Sequence, residues 1–105
     1  MSSDRRIVRA THQFFDDLDT QLPPERGPNG EPSTNDFQVV ELFPIIEHFA
    51  VGFDELPPLI EGNARYRVLV TSGVLVARIA VTAQLAADEA VELVALDIDL
   101  AAGWE

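Results

Sequence analysis

An α+β fold is expected: an N-terminal edge strand and two helices packed on one face of an antiparallel sheet of three to four strands. Three observations lead there. Three β-type runs, Arg65–Thr71, Val74–Ala83 and Val91–Asp99, follow one another as a meander near the C-terminus. Two upstream stretches, Phe14–Leu22 and Phe37–Phe53, carry apolar residues at helical spacing. The chain has 105 residues, enough for one core but not two, so the helices must cover the sheet in a single domain over 1–105.

The elements can be justified in order. Arg5-Arg6-Ile7-Val8-Arg9-Ala10 alternates weakly and reads as a short edge strand. Thr11 is the N-cap expected for a first helix, in which Phe14, Phe15, Leu18 and Leu22 form the apolar side. Asp16, Asp17 and Asp19 lie on the other side, early enough for the helix dipole to tolerate them. Pro23-Pro24 stops this helix. Residues 23–35 hold four Pro, two Gly and two Asn, and form a loop expected to be mobile. Ser33, Thr34 or Asn35 can cap a second helix with Phe37, Val40, Phe43 or Leu42, Ile46, Phe49 and Phe53 at three-to-four spacing. Pro44 should kink or split it, and Gly52 is its expected stop. Pro57-Pro58 and Gly62-Asn63 then lead extended chain into the meander.

Ser72-Gly73 reads as a two-residue hairpin link, with Gly available for positive φ. Tyr66, Val68 and Val70 share one face of the first meander strand; Arg65, Arg67, Leu69 and Thr71 share the other. In the second, Leu75, Ala77, Ile79 and Val81 oppose Val76, Arg78, Ala80 and Thr82. In the third, Val94, Leu96 and Ile98 oppose Leu93, Ala95, Asp97 and Asp99. Apolar residues on both faces suggest a partner or self-association surface, and a homodimer is one candidate.

Composition narrows function. There is no Cys, hence no disulfide framework, thiolate nucleophile or zinc–cysteine site. Met1–Arg6 is not followed by an apolar run, and no stretch approaches a spanning helix, so a cytoplasmic chain without a membrane role is expected. Eighteen acidic residues face seven basic ones, all Arg, for a net charge of −11. That field repels nucleic-acid phosphates, so nucleic acid is not the expected partner. No P-loop, dinucleotide Gly motif, metalloprotease helix or Ser/His/Asp arrangement is present, and no cofactor is expected.

Candidate site residues are few. Arg65 and Arg67 share a strand face, and Arg78 joins them if the register allows. They would recognise an anion or carboxylate; the plainer reading is that they pair with the chain's own acids. Arg5, Arg6 and Arg9 form the other basic cluster, better read as an edge strand charged against edge pairing than as a phosphate contact. His12 stands four residues before Asp16 and can contact it across one turn. His48 falls beside the apolar stripe and is expected to be partly buried. Asp97 and Asp99, about 6–7 Å apart on one strand face, would need Asp88 or Glu92 to complete a hard-cation site; no ligand loop supports one, and no metal is expected. Tyr66 is expected to pack against a helix. Leu75 and Trp104 are candidate partner contacts.

Three places resemble the RelE/ParE superfamily of bacterial toxins. Ile7-Val8-Arg9-Ala10-Thr11 running into Phe14–Leu18 is similar to the family's opening strand, cap and helix. Pro57, Leu59 and Gly62 before Arg65-Tyr66-Arg67-Val68 resemble its entry into the next strand, and Gly73–Ile79 with Arg78 resembles the one after. The resemblance implies a toxin of a type II toxin–antitoxin pair, whose members cut messenger RNA or poison DNA gyrase. Here Val74 and Leu75 stand where many members carry a basic residue after the hairpin Gly. Leu96-Asp97-Ile98-Asp99-Leu100 stands where they carry a His, Arg or Tyr type of segment. Metal-free RNA cleavage needs cationic charge stabilisation and a proton donor. The expectation is therefore a degenerate member that binds protein, an antitoxin or a target such as gyrase, through Arg65, Arg67, Arg78, Leu75 and Trp104. Alternatives are an endoribonuclease using Arg65, Arg67 and Arg78, and a non-enzymatic homo-oligomer.

Overall fold

A computed structural model describes residues 5–28 and 30–100. Strand β1 (Val8–Ala10) leads into helix α1 (His12–Gln21). Helices α2 (Thr34–Val40) and α3 (Leu42–Gly52) follow, then a 3-10 turn (Phe53–Glu55). Strands β2 (Pro58–Ile60), β3 (Asn63–Thr71), β4 (Arg78–Leu85) and β5 (Val91–Asp99) complete the described chain. The sheet order is β1-β5-β4-β3-β2, with β1 parallel to β5 and every other pair antiparallel. The α+β class holds, but the sheet is mixed and five-stranded, one strand more than expected. The addition is β2, which begins at Pro58 within the stretch expected only as extended chain leading into the meander.

Local chemistry sets the helix ends. The Thr11 hydroxyl accepts the Phe14 amide and donates to Leu93 O at 2.9 Å, so the cap also ties α1 to β5. Ser33 caps α2 through a reciprocal box with Asp36, whose carboxylate accepts the Ser33 amide at 2.9 Å. Arg26 donates twice to the same carboxylate. With the Ser33 amide, it lowers the Asp36 pKa from 3.8 to about 2. Folding therefore favours the charged form. The stabilisation is complete above about pH 5 and drains as pH falls toward the folded value. Asp36→Asn keeps an acceptor for the cap but loses the Arg26 pairing. Its melting temperature should fall below the parent's at pH 5–7 and converge with it near pH 2 in a thermal titration.

Pro44 splits the second helical stretch one turn early. Its ring cannot donate to the Val40 carbonyl and crowds it, so α2 ends at Val40 and Glu41 joins the two helices. The buried stripe runs Phe37, Glu41, Ile45, Phe49, Phe53. The expected stripe held Phe37, Phe49 and Phe53 but took Ile46 for Ile45 and stepped over the acidic position. Phe43 is 65% exposed, not a core residue.

Phe14, Leu18, Phe37 and Phe49 pack on Leu69, Ile79, Val81, Ala83, Val91, Leu93 and Leu96, which all face the helices. The register shift after Thr82 inserts Val94 as an extra residue in β5. Leu93 and Leu96 therefore both point inward, which corrects the strict alternation that put them on opposite faces. Tyr66, Val68, Ala80, Thr82 and Ala95 lie on the opposite face, partly exposed, with Val70 57% exposed. Tyr66 thus packs on the face away from the helices.

The two-residue hairpin exists, but at Glu61-Gly62, where Ile60 pairs with Asn63 and Gly62 has φ 86°. Thr71 pairs with Ile79, so residues 72–77 are a longer loop that turns Val76 into the core. Gly73 serves close approach instead of positive φ. A Cβ there would lie 2.6 Å from Val76 Cγ2 and 2.8 Å from both Val76 O and Glu41 Oε2. Gly73→Ala should cost about 1–3 kcal/mol as an overpacked site, read as a lower urea midpoint with an unchanged m-value.

Candidate functional site

All seven Arg fall among the described residues, and each is engaged within the chain. Arg5 pairs with Glu47 at 2.7 Å, and its hydrogen bond holds the Glu47 carboxyl below the usual range. Arg6 reaches Asp54 at 3.1 Å. Arg9 reaches Asp88 at 3.0 Å and Glu92 at 3.3 Å, and it lowers the Asp88 pKa. Arg26 binds Asp36, and Arg78 binds Asp99 at 2.7 Å. The remaining two use backbone carbonyls. Arg65 donates to Leu85 O and Ala86 O, both at 2.9 Å, closing the β4–β5 turn. Arg67 donates to Ala64 O at 2.7 Å, Leu56 O at 2.8 Å and Asp54 O at 3.1 Å.

The Arg trio does not assemble. Arg67 is opposite Ala83, whereas Arg78 lies at the far end of the sheet opposite Asp99, on the face away from the helices. The possible acidic cluster is divided too. Asp97 and Asp99 sit near Arg78, while Glu92 and Asp88 are held by Arg9 at the other end. Among the described residues no group of His, Cys, Asp and Glu could hold a metal ion, and no helix is long and apolar enough to cross a membrane.

His12 is exposed, and its α1 neighbours bond otherwise: Gln13 donates to Asp17 Oδ1 at 2.7 Å. His48 is exposed, not partly buried as expected. Leu75 is partly buried, and its amide donates to Glu41 Oε2 at 2.6 Å. Trp104 lies outside the described residues.

A concave surface with mixed chemistry lies beside α3. A cleft of about 130 Å³ opens between α3 and the 72–77 loop, lined by Glu41, Pro44, His48, Thr71, Ser72 and Val74. An open depression adjoins it along α3, lined by Pro44, Glu47, His48, Val51, Gly52 and Glu55. Pro44 and His48 belong to both, so the two form one trough. Glu41, only 4% exposed, anchors the loop wall through the Leu75 amide. No Arg lines the trough. Sequence reasoning missed it because its walls meet only through the helix break at Glu41 and the close approach at Gly73. Its exposed apolar residues, Val51 and Val74, carry no local pattern that marks a site.

In comparison with known proteins, no family model, curated protein or solved structure matches the chain.

Proposed function

We propose that this chain is a RelE/ParE-like protein that acts by binding another protein, an antitoxin-like partner or a target such as gyrase, and not by cleaving RNA. One observation carries the reading: every Arg is committed to a carboxylate or a carbonyl of the chain itself. A net charge of −11 then leaves no cationic surface to attract a phosphate backbone or stabilise charge developing on it. Recognition by apolar and carboxylate groups remains, and that suits a protein surface.

The test has two arms. Purified chain incubated with ribosome-bound messenger should leave the RNA intact. Induced expression in bacteria should arrest growth or recover a protein partner in stoichiometric amount. Specific RNA cuts restore the endoribonuclease alternative, and neither toxicity nor any partner removes the binding reading. A homo-oligomer is the second reading, favoured by Val70 standing exposed on the helix-free sheet face beside Val68. Sedimentation as a dimer lost in Val70→Glu would support it.

A further inference from the structure

We propose that the trough beside α3 docks a cationic amphipathic segment of a partner protein. This rests on the protein-binding reading and gives the partner its chemistry. Each part of the trough carries an aliphatic side chain turned to solvent: Val51 of α3, 61% exposed, in the open depression, and Val74 of the loop, 79% exposed, in the cleft. Exposed apolar groups along one continuous surface lose water favourably when a single ligand covers both. The cleft beneath Val74 reaches core residues Ile45, Leu69 and Ile79, so an entering side chain meets apolar floor.

Charge selects among occupants. The titratable groups lining the trough are Glu41, Glu47, Glu55 and His48. Glu41 is occupied by the Leu75 amide and Glu47 by Arg5. Glu55 is exposed and forms no ion pair among the described residues. Gly52 adds no side chain between Glu55 and His48; a Cβ there would already touch Glu55 Oε1 and His48 Cδ2, both at 3.6 Å. A Lys or Arg from outside meets a carboxylate there without displacing a cation. A second copy of this chain has no uncommitted Arg to place against Glu55, so it does not supply the cation this site takes. An acidic segment is repelled by the chain's net charge of −11. A helical segment with aliphatic residues three or four apart and Lys or Arg flanking them fits both features.

The probe is a synthetic 18-residue Leu/Lys helical peptide, titrated against the full chain in physiological salt. A scrambled peptide of the same composition and a Leu/Glu helix serve as comparators. Val51→Ser with Val74→Ser should weaken binding about tenfold, since both residues belong to the covered rim. Glu55→Gln should weaken it severalfold and reduce its salt dependence. Leu59→Ser, on edge strand β2 and outside the trough, should leave it unchanged, and melting temperatures of all variants verify folding. Equal binding of the scrambled peptide, or no effect of the rim pair, overturns the proposal. A natural partner that still binds the rim variant also overturns it while leaving the protein-binding reading intact. If the cell yields no partner at all, that broader reading fails instead.

Discussion

Gln21→Ala should unfold the chain about 10–20 °C earlier than the parent, the equivalent of roughly 2–4 kcal/mol. The reason lies at an incomplete sheet edge. β1 pairs with β5 only from Val91 to Leu93, so the rest of that β5 edge has no strand beside it. Helix α1 takes the place of one. The Gln21 amide donates to Leu96 O at 2.7 Å, and its carbonyl accepts from Ile98 N at 2.7 Å. One turn earlier, Asp17 Oδ2 accepts from Leu96 N at 3.0 Å. Two side chains thus reproduce the donor and acceptor rhythm of a missing strand. Truncating Gln21 strands a carbonyl and an amide, each partly buried and each worth about 1–3 kcal/mol when left unpaired. It also uncovers a strand edge, so soluble aggregates should rise with concentration. Gln21→Glu should be no rescue, because it keeps the acceptor but turns a carboxylate on Leu96 O. Amide exchange supplies the site-specific readout. Ile98 should lose protection in Gln21→Ala well before Val81 at the sheet centre. Unchanged Ile98 protection with a melting temperature within about 2 °C of the parent would show that the edge needs no side-chain seal.

The same bonds explain what was legible in the sequence and what was not. Thr11 is readable as a cap, and Ser33 as one of three candidates with Thr34 and Asn35, because a cap binds its own helix within three residues. The strands β3, β4 and β5 were readable from their alternation, which reports one face against a core. Gln21 and Asp17 were not, since their partners are backbone groups 75 and 79 residues away and any sequence supplies those. Asp17 looked like one more solvated acid on α1. Glu41 was hidden for a related cause: a carboxylate within an apolar stripe reads as an interruption unless the Leu75 amide it serves is known. Gly73 was recognised as special for the wrong reason, because a glycine needed for positive φ and one needed for close approach look alike in a sequence. Arg65 and Arg67 were correctly placed on one strand face, yet nothing local says whether such a guanidinium meets solvent, an acid or a carbonyl.

Arg67 decides between a structural and a recognition role, and Arg67→Met should cost about 2–3 kcal/mol of stability, or roughly 10–15 °C in melting temperature. The guanidinium stands 5.3 Å from the Phe53 ring centroid, and Arg6 stands 5.7 Å from the same ring. From there Arg67 binds the Asp54 and Leu56 carbonyls, which end the 3-10 turn after α3, and Ala64 O at the start of β3. It therefore fastens the end of the helical layer to the sheet. A helix end leaves its last carbonyls without intrahelical donors, and a planar fork can serve several at once. Methionine keeps the apolar stem over Phe53 but frees all three carbonyls. Lysine offers one compact ammonium, so Arg67→Lys should recover less than half of the loss. Partner binding per folded molecule should stay within about twofold in both variants, since the donors face inward to the chain's own backbone. The contrary pattern, a melting temperature within about 2 °C of the parent together with abolished RNA cleavage or partner binding, would make Arg67 a recognition residue. It would also reopen the cationic sheet face that the carbonyl bonds now close.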